Sequence, residues 1–276
     1  MRPTCFVRFE SLLRGLGCSI LLTLLSAQAP ATTTSPSPAA PPAAAVAPEQ
    51  KPVPLDEALA KDGKEVYERF CISCHGPQGD GRGYSAEWLE PLPRDFTSAI
   101  FKCRSTPSGS LPTDEDLLRT LNTGIFHTYM PPWKVLGDKN LRAVAEYLKT
   151  FSPRWKEEAP GTPIVIPPEP PDDAASRARG KAAWDANQCQ ACHGPEGKGN
   201  GPTVPTLIDD WGHHIVPFDF SSSSARKCGN TAEDLYRTFL TGVNGTPMPS
   251  FADSMTPQQA WDLVHYLLTL SSSKGS

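Results

Sequence analysis

The stretch that decides the fold occurs twice in the chain. Its copies are Gly63-Lys-Glu-Val-Tyr-Glu-Arg-Phe-Cys-Ile-Ser-Cys-His75 and Gly180-Lys-Ala-Ala-Trp-Asp-Ala-Asn-Gln-Cys-Gln-Ala-Cys-His193. Each is followed by a Gly-rich run, and the correspondence then continues through two further pairs: Asp95-Phe96-Thr97 with Asp219-Phe220-Ser221, and Lys102-Cys103 with Lys227-Cys228. Two copies of one module, in register over most of the chain, predict two tandem domains of one architecture.

The centre of each copy is Cys-x-x-Cys-His, the attachment motif of c-type haem. One helical turn separates the two thiols, which form thioethers with the porphyrin, and the next residue points at the iron. The chain therefore predicts two covalently bound haem c groups, held by Cys71, Cys74, Cys189 and Cys192. A zinc or thioredoxin-like Cys-x-x-Cys is the alternative, but neither requires the histidine that follows both pairs.

The axial ligands of the two irons follow from the repeat. His75 and His193 are the proximal ligands, and Met130 follows His75 by 55 residues, as Met248 follows His193. A Met thioether opposite a His favours the ferrous state and fills both axial positions, which suits electron transfer. Met255 has no counterpart and is expected to fill the core. The competing ligands are His127, His213 and His214, whereas His265 is expected to be structural.

The Gly-rich run after each motif resembles a phosphate-binding loop, but it follows a helix and not a strand, so the dinucleotide interpretation fails. We expect the run to turn tightly and to offer a backbone carbonyl to the proximal imidazole.

The coarse structure is predicted to be all-α, with two helical haem domains joined by a Pro-rich linker. Apolar residues recur at helical spacing in the last helix of each copy, and Thr113 and Thr231 start helices of capping-box type. The predicted organisation is a signal peptide (1–29), a disordered Pro/Ala-rich tether (30–54), domain 1 (55–153), a linker (154–172) and domain 2 (173–276).

Charge and targeting limit the function classes. The formal charge is −4, and it becomes −6 when residues 1–29, with three Arg and one Glu, are set aside. An acidic, unpatterned chain argues against nucleic-acid binding. The basic start and short apolar run predict export to the periplasm, with an uncleaved N-terminal membrane anchor as the alternative.

Two cysteines remain once the four haem thiols and Cys5 and Cys18 of the leader are removed. Cys103 and Cys228 occupy matching positions in the repeat. If equivalent residues meet where the domains pack, they form an interdomain disulfide in the oxidising compartment. Otherwise they are two separate buried thiols, and the sequence leaves both open.

Over roughly residues 55–272 the chain resembles the class I cytochrome c family in tandem di-haem form, on the two Cys-x-x-Cys-His motifs with Met130 and Met248. The resemblance implies a periplasmic carrier, or an electron-transfer subunit of a membrane complex, that passes single electrons between redox protein partners and is not itself an enzyme. The alternative is a di-haem oxidoreductase of thiosulfate dehydrogenase type. In those enzymes a cysteine thiolate ligates the catalytic haem, and Cys103 would be that ligand.

Overall fold

The computed structural model describes residues 51–222 and 224–272, and the side chain of Ser272 is left aside. The predicted signal peptide (1–29) lies outside the described residues. So do residues 30–50 of the predicted tether (30–54). Nine α-helices make up the regular structure of the described residues: Glu57–Phe70 (α1), Ile72–His75 (α2), Asp114–Thr123 (α3), Gly137–Lys149 (α4), Arg154–Glu157 (α5), Ala174–Ala186 (α6), Gln190–His193 (α7), Ala232–Thr241 (α8) and Pro257–Ser272 (α9). The predicted all-α class is confirmed, since the described ranges hold only two isolated β-bridges and no strand.

Several helices begin at a residue whose side chain accepts a hydrogen bond from a first-turn backbone N–H that has no partner within the helix. Thr113 and Thr231 each form the predicted capping box, in which Asp116 or Asp234 reaches back to the cap. Asp56 caps α1 through the N–H of Leu59, at 2.9 Å. The same arrangement at α3 and α8 shows that the repeat extends to local backbone geometry.

A glycine sets the helix crossing in each half of the molecule. α1 packs on α4, and α6 packs on α9. A Cβ placed on Gly63 would lie 1.9 Å from the carbonyl oxygen of Ala143, and one on Gly180 would lie 1.9 Å from that of Asp262. The backbones therefore touch at these two positions, and only glycine allows the crossing.

Each half has its own apolar core. The first is built around Leu117, Leu141 and Val144, and the second around Leu235, Leu263 and Val264. Met255 is buried in the second core, as expected for a core filler. None of the helices in the described part of the chain is long and apolar enough to span a bilayer.

The segment between the halves is partly folded and packs along the body. Residues 154–157 form α5, and Trp155 is buried in the first core, so the start of the predicted linker packs with the first half. Farther on, the Trp261 indole donates to the carbonyl of Pro167 at 3.2 Å, and the His265 ring lies 3.2 Å from the Glu169 carboxylate. His265 is thus a structural residue, as expected.

The two halves are joined covalently and by a buried arginine. Cys103 and Cys228 form a disulfide with a Cα–Cα distance of 5.2 Å, so the interdomain pairing raised from the repeat is confirmed. Beside it, the buried Arg104 donates to the carbonyl of Thr241 at 2.5 Å, across the boundary. A cation at the last residue of α8 satisfies an orphan carbonyl and opposes the negative end of the helix dipole.

Removing the disulfide in the double variant Cys103→Ser/Cys228→Ser is expected to cost about 3 kcal/mol, because the bond closes a loop of 125 residues in the unfolded chain. That loss lowers the melting temperature by roughly 10 °C for a protein of this size. Calorimetry of the holoprotein measures it. Alkylation mass analysis without reductant is the control, and two free thiols in the parent protein would contradict the pairing.

Candidate haem sites

Two cavities gather the predicted site residues, four in each. The first is lined by Cys71, Cys74, His75 and Met130. The second is lined by their counterparts, Cys189, Cys192, His193 and Met248. In both, a four-residue helix carries the second cysteine and the histidine, and the histidine N–H donates to the carbonyl of the first cysteine at 2.9 Å. This single turn places the two thiols and the imidazole on one wall.

The proximal imidazoles are fixed in one tautomer by backbone carbonyls. Nδ1 of His75 lies 2.9 Å from the carbonyl of Arg94, and Nδ1 of His193 lies 3.1 Å from that of Phe218. Because a carbonyl only accepts, Nδ1 carries the proton and Nε2 keeps its lone pair. Burial lowers the pKa of both imidazoles, which favours the neutral form that a metal ligand needs.

The source of that carbonyl differs from the expectation that the Gly-rich run supplies it. The run instead lets the supplying segment come close. A Cβ on Gly81, at φ +75°, would lie 2.6 Å from the carbonyl oxygen of Pro93, and one on Gly199, at φ +69°, 2.4 Å from that of Pro217. The glycines therefore position the next residue, whose carbonyl accepts from the histidine.

A phenylalanine ring packs against each imidazole. Phe96 stacks on His75 with ring centroids 4.5 Å apart, and Phe220 lies 5.0 Å from His193. The Asp-Phe-Thr/Ser motif sets these rings, because Asp95 and Asp219 each accept from the N–H two residues on, at 2.8 Å. Sequence reasoning noted the repeated motif without finding its role, although its match in both copies was the available signal.

The methionine loops are built alike. The carbonyl of Met130 accepts from Ile125 N–H at 3.0 Å, and that of Met248 accepts from Val243 N–H at 3.1 Å. A threonine two residues before each methionine accepts from the methionine N–H, at 3.1 and 3.3 Å. Each methionine is thus held by a short hydrogen-bonded turn on the wall of its cavity.

The competing histidines have other contacts. Nε2 of His127 lies 2.6 Å from the carbonyl of Ala225, so this residue of the first half reaches into the lining of the second cavity. His214 is exposed, with Nε2 lying 3.0 Å from the carbonyl of Val204, and His213 is also exposed. Neither of these two histidines lines the first or the second cavity.

The first thiol of each motif is unsuited to thiolate chemistry. Burial raises the pKa of Cys71 to about 12 and that of Cys189 to about 11. A thioredoxin-type cysteine has the opposite shift, a lowered pKa. Within the described residues, no three His, Cys, Asp or Glu side chains converge as a metal cluster. The raised thiol pKa values therefore disfavour the thioredoxin-like alternative.

The residues present fit a haem c group. Each cavity offers two thiols one turn apart, a neutral imidazole whose Nε2 keeps its lone pair, a thioether and a largely apolar wall. The second cavity holds about 600 Å³, within the roughly 300–1,000 Å³ of ligand pockets, and the first holds about 140 Å³. The donor sets match in both cavities. The first cavity is the smaller, so its walls have to move apart to admit a macrocycle.

The halves also touch through the residues that hold the proximal histidines. The Arg94 guanidinium lies 4.3 Å from the Trp211 ring centroid, a cation–π contact with the second half. In the reciprocal position, the Phe218 ring lies 5.8 Å from that of His127 in the first half. Each cavity is therefore braced by the opposite half.

Two cytochrome family models match the chain, one in each half. The Cytochrome c family model matches residues 177–271, and that of cbb3-type cytochrome c oxidase subunit III matches residues 58–148. A thiosulfate dehydrogenase electron acceptor of Stutzerimonas stutzeri is 26% identical over an alignment 174 positions long, which covers 55% of this chain and 65% of that protein. The chain thus matches just under two thirds of that relative's length.

A solved chain from the reducing HAO-like protein complex of Kuenenia stuttgartiensis is 38% identical, with a TM-score of 0.75. The match covers 79% of this chain and 99% of that one. Together with the two cytochrome models and the covalent haem sites they imply, this likeness shows that the chain belongs to the tandem di-haem class I c-type cytochromes and is a haem electron-transfer protein.

Proposed function

We propose that the chain binds two haem c groups, one in each cavity, and relays single electrons between them and its redox partners. The observation that carries the proposal is the duplication of a complete donor set: two thiols, an imidazole and a thioether line each cavity. A site with both axial ligands supplied by the protein suits a carrier, because no position is left for a substrate.

The residues have distinct roles in this proposal. Cys71, Cys74, Cys189 and Cys192 form the thioether links, His75 and His193 bind iron through Nε2, and Met130 and Met248 bind through sulfur. The carbonyls of Arg94 and Phe218 keep the imidazoles oriented. An iron held by these His and Met residues would supply one-electron chemistry with both of its axial ligands kept. The phenylalanines and glycines around each imidazole limit how far that imidazole moves between the oxidised and the reduced state.

We further propose that the chain works in the periplasm as two haem domains, 55–153 and 173–276, joined by the segment 154–172. The disulfide supports an oxidising compartment. The names of the relatives, an electron acceptor and a protein complex, support a role beside redox protein partners, either as a free carrier or as a subunit of a complex. An N-terminal membrane anchor stays part of this proposal as the alternative to a cleaved leader.

The thiosulfate dehydrogenase alternative requires a free Cys103 thiolate as an iron ligand. Cys103 lines the first cavity but is bonded to Cys228, and Met130 lines the same cavity. The likeness to a protein named as the electron acceptor of such an enzyme fits the carrier better than the enzyme. The carrier is therefore the function that we propose.

Carbon monoxide tests the relay against an enzyme with an open haem. The ferrous holoprotein is expected to keep its visible spectrum under carbon monoxide, because Met130 and Met248 occupy the sites that the gas would take. A single-haem cytochrome c with His/Met ligands and a globin with an open haem position serve as closed and open references in the same cuvette series. A spectrum in which half or more of the haem binds the gas would contradict the proposal.

A further inference from the structure

Two lysines at the boundary between the halves contribute to both haem cavities. Lys102 and Lys227 each line the first cavity and the second. Each precedes a cysteine of the interdomain disulfide, so the covalent bond keeps the two lysines side by side. We call the four residues Lys102, Cys103, Lys227 and Cys228 the basic seam.

The seam concentrates positive charge. Burial, and then the neighbouring cations Arg94 and Lys227, lower the pKa of Lys102 to about 8. Burial, and then Arg94, lower the pKa of Lys227. The field of Asp209 opposes the shift at Lys102 without reversing it. Among the residues that the structure describes, neither ammonium group is paired with a carboxylate, whereas the exposed Lys64, Lys181 and Lys198 each are.

The remaining lining offers little negative charge to balance the seam. No acidic side chain lines the first cavity, and Asp219 alone lines the second, where its carboxylate accepts from the N–H and hydroxyl of Ser221. Half-buried cations that repel one another and lack partners are stabilised by an anion placed among them. The cavity edge at the seam is therefore suited to bind anionic groups.

We propose that Lys102 and Lys227 form one carboxylate-binding site shared by both cavities, and that it holds propionate groups of both haems at the seam. The inference rests on the proposed two-haem function and deepens it. A haem carries its carboxylates on one edge, and the apolar walls around the thiols and methionines cannot take charge. Both haems then turn their acidic edges toward the same two lysines, which act as positioning residues for the pair.

A shared site has a measurable consequence. A positive charge near an iron favours the ferrous state, so removing it lowers the reduction potential of that haem. Because each lysine faces both cavities, Lys102→Gln alone and Lys227→Gln alone are each expected to lower both potentials by comparable amounts. Lys102→Arg keeps the charge and is expected to retain the parent potentials. Lys61→Gln, an exposed position on α1, removes the same charge elsewhere and is expected to change neither.

The experiment is an equilibrium redox titration of the holoproteins by visible spectroscopy, with redox-difference infrared spectra of the carboxylate bands. In the Gln variants we expect shifted carboxylate bands together with two lowered potentials. Potentials that fall only for one haem per variant, or for neither, would overturn the shared site. Parent potentials that vary with phosphate at constant ionic strength would also overturn it, because a free anion would then occupy the seam.

The same samples separate this inference from the proposed function. Two haems per chain in the low-spin form with unchanged potentials in both Gln variants would refute the shared site and leave the relay intact. One haem, or an open coordination site, in the parent protein would refute the relay itself.

Discussion

Alanine at Gly180 is expected to destabilise the protein by about 3 kcal/mol, because the new Cβ would lie 1.9 Å from the carbonyl oxygen of Asp262. No rotamer relieves a clash between Cβ and backbone, so α6 and α9 have to move apart along the wall that carries α7 and the second haem motif. Gly63→Ala repeats the clash against Ala143 and is expected to behave alike. Guanidinium unfolding followed by far-ultraviolet circular dichroism measures both.

The matched control is Gly212→Ala in the same half. Gly212 has φ +83° and no atom within 4 Å of an added Cβ. Alanine there is destabilising only through the strain of the left-handed backbone conformation, by about 1 kcal/mol. If Gly180→Ala were as stable as Gly212→Ala, the tight helix crossing would be wrong.

Leucine at Met130 or at Met248 is expected to convert one haem of the two from low-spin to high-spin. Leucine keeps the volume of the side chain but has no sulfur to bind the iron. The far-red sulfur-to-iron band should fall to about half, by the loss of one of two ligands, and the altered haem should bind carbon monoxide. Visible and electron paramagnetic resonance spectra of each variant measure the effect.

Met255→Leu is the control for sulfur loss without ligand loss. Met255 is buried in the second core and lines neither cavity. The variant should keep both low-spin haems. Should Met130→Leu or Met248→Leu also keep both, another side chain would be the ligand, and His127 would be the first to test for the second haem.

The sequence predicted which side chains form the haem sites more fully than it predicted the contacts that orient those side chains. Covalent attachment and axial ligation depend on side-chain identity at a fixed spacing, and Cys71, His75 and Met130 carry that information directly. The carbonyls that hold the imidazoles belong to Arg94 and Phe218, two different residue types, because a backbone acceptor places no demand on its own side chain. A contact of this kind cannot be recognised from a sequence motif.

Contacts between the halves were predictable only where the repeat itself pointed to them. Cys103 and Cys228 lie in register, so their pairing could be proposed before the structure. Arg104 has Gly229 as its counterpart, and its bond to the carbonyl of Thr241 depends on packing that breaks the repeat. The linker shows the same limit, since Trp155 joins the first core although it lies in the segment predicted as a Pro-rich linker.

The most direct test of the account is low-temperature electron paramagnetic resonance of the oxidised holoprotein, with haem counted by mass. The account predicts two haem c groups per chain and two low-spin signals of the His/Met type, one for each cavity. A high-spin signal, a thiolate-type signal, or a single haem per chain would contradict the closed two-haem relay.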